Sequence, residues 1–535
     1  MKTLYNLTFL FFLTSITLYS QNYKEQLSSI NIEHYKLAIE VNDENNNINA
    51  LMAISMRFKK NIKTFDLDFV EQDSLTGKGM KIDSVFQNNI PIDFLHQNNK
   101  LTISPKHIFQ NLTYTFTIKY SGIPKTGLII TNNKFGDRTI FGDNWPNRAQ
   151  NWFPCIDHPS EKATIEYIVT APDHYQVIAN GLKIRDTILP NNLKQTHYKT
   201  KAPLPTKVMV IGVANFEIQD LEETHNIPIS SWVYPQDKEA GFNDFSTAKN
   251  ILDFFIETIG KYPFQKLTNV QSTTEYGGME NAGAIFYNEN AITGEGKIEA
   301  LMAHEIAHQW FGNSVSEIDW PHIWLSEGFA TYFANLYIQK SKGDSIFQKR
   351  MVNEREKVFN LYKKQQTPIV DSKTTNYIKL LNANTYQKGA WVLHMLRKEL
   401  GDDVFFKGIK AYYQIFKYSN ASSHDFQQIM SHVAEKNLNT FFRQWLTKAD
   451  YPILKTQWIY FNNKVRLIID QTQSDFFEFS LDIEIIFENG KTEIQTVSVD
   501  SMSAPFVLTT SGENGQVKEL KLDPNNWLLF QMVKE

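Results

Sequence analysis

The chain has almost no cysteine. Cys155 is the single one in 535 residues, which excludes an intrachain disulfide and any metal centre or iron–sulfur cluster built on several thiolates. Neither sign of charge dominates: 54 Lys+Arg stand against 58 Asp+Glu, and a formal charge of -4 offers no basic footprint for nucleic acid. A mean hydropathy of -0.36 with 21% charged residues excludes an integral membrane bundle, and 42% hydrophobic residues exclude a disordered chain. The apolar run Leu7–Leu18 is short for a bilayer span and suits the core of a signal peptide, with cleavage between Ser20 and Gln21. The expectation is an exported protein, periplasmic or secreted, that loses residues 1–20 and has no stable membrane insertion afterwards. A metal would have to sit on imidazole and carboxylate. Thirteen His make that possible.

At roughly 150 residues per domain the length predicts about three domains. Residues 21–220 read as strands. His34–Val41, Leu51–Phe58, Thr64–Phe69 and Lys162–Thr170 alternate or are β-branched, with turn clusters such as Asn45-Asn46-Asn47 between them. From 221 to 448 the spacing turns helical, in Ala240–Gly260, Ile298–Phe311, Leu325–Lys340, Ser345–Lys364, Trp391–Tyr418 and His424–Lys448. Strands return over 449–535, with Glu488-Asn489-Gly490 as a hairpin turn, and predict a small β-sandwich. The fold class is therefore α+β multidomain: an N-terminal all-β domain, a mainly α middle domain and a C-terminal β-sandwich.

The middle domain carries the chemistry. In His304-Glu305-Ile306-Ala307-His308 the two His lie about 40° apart on a helix, so both imidazoles can chelate one ion. Glu305 is angled to touch a metal-activated water and take its proton. The helix is apolar elsewhere (Leu301, Met302, Ile306, Trp310, Phe311), so these polar groups would be buried, and a ligated metal satisfies them. A third ligand is required. Glu327, with eighteen residues between it and His308, opens the next helix. On position alone it reads equally as a ligand or as a first-turn Glu favoured by the helix dipole.

These segments, with Trp324-Leu325-Ser326-Glu327-Gly328-Phe329-Ala330, resemble the zinc signature of the aminopeptidase N family of metallopeptidases. These gluzincins include the leukotriene-epoxide hydrolases. Upstream, Gly277-Gly278-Met279-Glu280-Asn281-Ala282-Gly283 is similar to the family's exopeptidase motif, and Tyr386-Gln387-Lys388-Gly389-Ala390 to the segment with its catalytic tyrosine. Further similar segments cover most of residues 30–450. The resemblance implies a thermolysin-like catalytic domain with one zinc ion per chain on His304, His308 and Glu327. It makes Glu305 the general base, and Tyr386 the donor to the oxyanion. Substrate binding would fall to Gly277, Gly278, Met279, Glu280 and Asn281, with Glu280 pairing the free α-ammonium of a peptide and Met279 bordering the pocket for its first residue.

The match has three departures. The family's second anchor for the substrate amine falls near Trp145, with Asp143 and Asn144 as neighbours that carry no assigned role. The long C-terminal helical domain of larger relatives is missing, so this reads as a short version. His322 and Ser326 stand where many relatives have Asp and Asn. The expected function is a zinc-dependent aminopeptidase acting on peptides with a free N-terminus. An endopeptidase or epoxide hydrolase on the same zinc site is the alternative, and a non-catalytic peptide-binding scaffold the more distant one. Oligomeric state is not legible.

Overall fold

The computed structural model describes residues 23–533, so the expected signal peptide lies outside the described residues. The strand-like N-terminal region is a β structure. Its largest sheet is built on Ile30–Glu40, which pairs antiparallel with Ile48–Phe58 (Ile39 opposite Ala50) and parallel with Lys162–Pro172 (Tyr35 opposite Ile165). Alternation explains the placement. Ile48, Ala50, Met52, Ile54, Met56 and Phe58 are buried, and the residues between them face outward or are half-buried. Asn42 accepts hydrogen bonds from the backbone N–H groups of Glu44 and Asn45, which closes the expected turn.

After this region a mixed sheet forms that helical periodicity does not announce. Ile227–Val233, Leu267–Ser272 and Ala284–Asn288 run parallel, with Glu217–Thr224 on one flank and the two-residue strand Gly278–Met279 on the other. Leu267–Ser272 is buried throughout, as a central parallel strand must be.

The helices are α1 (Lys238–Phe245), α2 (Ala248–Thr258), α3 (Glu299–Ala307), α4 (Trp324–Lys342), α5 (Asp344–Tyr362), α6 (Gly389–Leu400), α7 (Asp402–Phe416), α8 (Ser423–Ala434) and α9 (Asn439–Thr447). Three long helical patterns in the sequence are each two helices. Ala240–Gly260 divides into α1 and α2, and Trp391–Tyr418 divides at Gly401, whose φ of 76° leaves the helical region. His424–Lys448 divides after Glu435, at φ 50°. Periodicity sees the apolar spacing and misses breaks of one residue (Gly401), two (246–247) and four (435–438).

Beyond α9 two sheets follow, one of Ser503–Thr509, Lys464–Gln471, Ile453–Phe461 and Gln531–Met532, the other of Thr492–Val499, Phe479–Phe487 and Val517–Leu522. The hairpin turn at Glu488-Asn489-Gly490 forms as expected, with Gly490 at φ 82°. No helix among the described residues is long and apolar enough to cross a membrane.

By its internal contacts the chain divides into two compact units. One runs through Asp253 and takes up Tyr262–Gln309; the other comprises Phe254–Lys261 and everything from Trp310 onward. The candidate residues are shared between them: His304, Glu305, His308 and the 277–283 segment in the first, Glu327 and Tyr386 in the second.

Candidate active site

In the first unit, α3 stops at Ala307, short of the expected Phe311, and His308 continues the helical backbone as the cap, its N–H donating to the His304 carbonyl at 3.2 Å. One turn therefore separates the two imidazoles. Their Nε2 atoms face each other at 3.1 Å with the ring planes 85° apart. His308 is 1% exposed and His304 half-buried.

Glu305 is buried between these groups and the sheet edge. The strand Gly278–Met279 pairs with Tyr287 and Phe286, and a methyl group at Gly278 would collide with the Glu305 carboxylate. The absence of a side chain at Gly278 is what lets that carboxylate stand against the strand. Glu280, two residues on, is also buried. One ligand atom each of Glu280, Glu305 and His308 lies within 4.8 Å of the other two. Two carboxylates that close in a buried place repel strongly unless positive charge comes between them.

A residue that motif reading passed over holds this arrangement together. Gln309, fully buried, donates from Nε2 to the Glu280 carbonyl at 2.9 Å and accepts at Oε1 from the Gly283 N–H at 2.8 Å. Gly283 sits at φ 69°, so the 280–283 turn closes onto the amide of the residue that follows His308. An amide side chain directly after an imidazole pair, beside a glycine-rich turn elsewhere in the sequence, was the one available signal. Asn281 is fully buried in the same turn.

Asp143 and Asn144 separate cleanly. Asn144 is committed to the framework, donating to the Thr206 and Met209 carbonyls and accepting from Trp152 Nε1. Asp143 pairs with Arg148 and accepts from Thr274 Oγ1 at 2.9 Å and the Glu275 N–H at 3.1 Å, which fastens the stretch leading into Gly277. Burial pushes the Asp143 carboxyl up from its ordinary range, with Arg148 opposing.

In the second unit, a short 3-10 turn at Trp320–His322 carries Pro321 into α4, and Asp319 accepts from the Trp320 N–H. Glu327 stands in the first turn of α4, buried, its N–H donating to Ile323. His322 is tied up elsewhere: its Nδ1 meets Ser423 Oγ at 2.9 Å, and Trp324 Nε1 donates to the same oxygen. Ser326 donates to the Phe311 carbonyl. Tyr386 lies in a five-residue π-helical turn, Asn384–Lys388, directly before α6. Such turns recur at functional sites. A methyl group at Gly328 would lie 2.9 Å from Gly389 Cα and 3.1 Å from the Thr385 carbonyl oxygen. Thus α4 crosses the Tyr386 segment at backbone-to-backbone distance, and the residue after Glu327 must be glycine for that approach.

Two family models match the chain. The Peptidase M1 N-terminal domain matches residues 31–208, and the Peptidase family M1 domain matches residues 244–445. A glutamyl aminopeptidase of Sus scrofa is 24% identical over 72% of this chain and 43% of its own length. Two proteins of Sulfurisphaera tokodaii are similar as well. Probable aminopeptidase 1 is 25% identical over 89% of this chain and 61% of its own length; probable aminopeptidase 2 is 29% identical over 57% and 41%. The chain spans less than two thirds of the length of each of these relatives.

Proposed function

The chain belongs to peptidase family M1, and from that premise we propose that it is a zinc-dependent aminopeptidase releasing the first residue of peptides. The observation that carries this reading is the crowding of Glu280 and Glu305 at His308 beside a facing imidazole pair. Two separate positive charges relieve it: a divalent cation on the imidazoles, and the ammonium of a substrate on Glu280.

The donor set fits zinc. Nitrogens bound tetrahedrally to one zinc at about 2.05 Å stand about 3.3 Å apart, and the His304–His308 separation of 3.1 Å is close to that. Two imidazoles and one carboxylate leave an open position, the usual arrangement of a catalytic zinc. In this reading His304, His308 and Glu327 hold the ion. When bound, zinc supplies a Lewis acid that polarises the scissile carbonyl and acidifies a water.

The remaining steps belong to the chain. Glu305 takes a proton from the attacking water and passes it to the leaving amine. The Glu280 carboxylate holds the substrate ammonium, and a peptide without that charge forgoes this ion pair. Tyr386 donates its hydroxyl hydrogen to the oxygen that becomes negative. The edge strand at Gly278 offers backbone groups to an extended peptide. Export through residues 1–20 belongs to the same reading, and N-terminal sequencing of the mature protein tests it.

The deciding experiment is a panel of aminoacyl anilides and peptides, each free and N-acetylated, together with a lipid epoxide, all with and without chelator. Cleavage of free substrates only, lost with chelator, is expected. Equal cleavage of acetylated peptides means an endopeptidase, and turnover of a lipid epoxide alone means an epoxide hydrolase. No turnover by fully zinc-loaded protein means a binding scaffold.

A further inference from the structure

Lys388, two residues after Tyr386, is fully buried. A lysine is rarely enclosed without a carboxylate, yet the partners of this one are neutral. Its Nζ donates to three consecutive backbone carbonyls, of Lys448 at 3.0 Å, Ala449 at 3.1 Å and Asp450 at 2.9 Å. An ammonium has three donors, and all three are used. Those carbonyls belong to the link between α9 and the first strand of the C-terminal sheets. Burial pushes the amine down to about 7, with Asp450 opposing, so enclosing it carries a cost that an apolar side chain of similar size would avoid. A group kept there at such a cost has its geometry to recommend it.

The link is itself fixed. The Asp450 carboxylate accepts from the Tyr362 hydroxyl at 2.5 Å and the Ser474 hydroxyl at 2.8 Å, Lys448 Nζ donates to the Phe476 carbonyl, and the Tyr451 ring packs on Phe359 and Tyr362. The turn is held at its other residues too. Asn384 Nδ2 donates to the Thr367 carbonyl at 2.7 Å, Thr385 Oγ1 to the Leu380 carbonyl at 2.6 Å, and Gly389 abuts Gly328. Asn384, Thr385 and Lys388 are buried, while Tyr386 is half-buried. The anchors leave the tyrosine as a group presented on a fixed turn.

We propose that Lys388 is a positioning residue for Tyr386, its three carbonyl bonds tying the π-helical turn to the link at 448–450, so that the junction with the C-terminal sheets sets where the tyrosine hydroxyl stands. The inference rests on Tyr386 acting on the substrate, as proposed above. It adds that the C-terminal sheets serve the chemistry through this junction and are more than a stabilising appendage.

The test is a double-mutant cycle on the full zinc-loaded chain, with Lys388→Met, Tyr386→Phe and both together. Readouts are kcat and KM on an aminoacyl anilide, zinc stoichiometry, and hydrogen exchange of amides 384–390. Lys388→Met is expected to lower kcat by about ten- to a hundredfold, the effect of misplacing a catalytic group by about 1 Å. KM and zinc should stay unchanged, exchange at 384–390 should speed up, and the loss should vanish in the Tyr386→Phe background. An unchanged kcat in folded Lys388→Met overturns the proposal. So does an equal loss in the Tyr386→Phe background, which marks a general structural role. If Lys388→Met does not fold, Asp450→Ala loosens the link from its partly exposed side. It should lower kcat by about threefold, with the same dependence on Tyr386; an unchanged kcat again overturns the proposal. Faster exchange together with an unchanged kcat in Tyr386→Phe would sink the catalytic reading of the tyrosine and the positioning role with it, while wild-type turnover by the zinc-loaded chain leaves the aminopeptidase reading standing.

Discussion

In the first unit the groups of the proposed chemistry are crowded into residues 277–309, where one turn of α3 and one edge strand put two imidazoles and two carboxylates together. In the second unit Glu327 and Tyr386 come from distant stretches of sequence, and each owes its place to something else: Glu327 to a helix that needs Gly328 to approach Gly389, Tyr386 to a turn anchored at Asn384, Thr385 and Lys388. Local sequence supplies the reacting groups in one unit, and long-range packing supplies their placement in the other. Substitutions should therefore separate into those that spare the fold and abolish turnover, and those that strain the fold and lower turnover through it.

The largest expected effect is at the base. Glu305→Gln keeps the shape of the side chain and removes the proton acceptor, so kcat should fall by roughly 10²- to 10⁴-fold with zinc content and melting temperature unchanged, as measured on an anilide and by metal analysis. A full-activity Glu305→Gln enzyme would remove the first unit's chemical role.

The same change at two glycines sharpens the contrast. In Gly278→Ala the new methyl meets the movable end of Glu305, so turnover should drop by tenfold or more, on the order of the cost of displacing a catalytic group, with little change in melting. In Gly328→Ala the methyl meets the Gly389 backbone, which cannot step aside as a side chain can. Stability should fall by about 1–3 kcal/mol, read from denaturant midpoints. Equal effects of both changes on stability and rate would erase the distinction.

Smallest at neutral pH is a difference in acid response between the N-terminal β region and the helices. Burial pushes His394, between Tyr332 and Trp527, down to about 3. Between that value and its ordinary 6.5 the unfolded chain binds a proton that the fold does not, so stability falls as pH drops through this window. Burial pushes Asp157 and Glu161 up to about 7, so there the fold keeps protons that the unfolded chain has released, and stability falls as pH rises from about 4 to 7. Melting curves against pH should show a shallower acid limb in His394→Gln, and an opposite slope reduced in Asp157→Asn and removed only when Glu161→Gln is added. Unaltered curves would show that neither group titrates as its burial implies.

Much of the fold was legible because its signals are local: alternation in Ile48–Phe58, the turn at Gly490, the order of strands, helices and strands. The imidazole pair was legible for the same reason, since helix spacing alone puts His304 and His308 on one face, whereas Glu327 was ambiguous by position and Glu280 and Tyr386 stood out only through the family resemblance. Distant contacts were not. The mixed sheet under the 277–283 segment depends on three parallel strands that never adjoin in sequence. Gln309 and Lys388 look like ordinary polar residues until the carbonyls they serve, at Glu280 and at 448–450, are brought to them. Gly278 reads as flexibility in a motif, whereas its function is to leave room for Glu305.

The central claim, that one zinc ion is held by His304, His308 and Glu327, is most directly tested by anomalous scattering at the zinc edge from crystals of metal-repleted protein. A single peak about 2.1 Å from both imidazole nitrogens and from the Glu327 carboxylate is the predicted result. No peak there, or a peak on other side chains, contradicts the account.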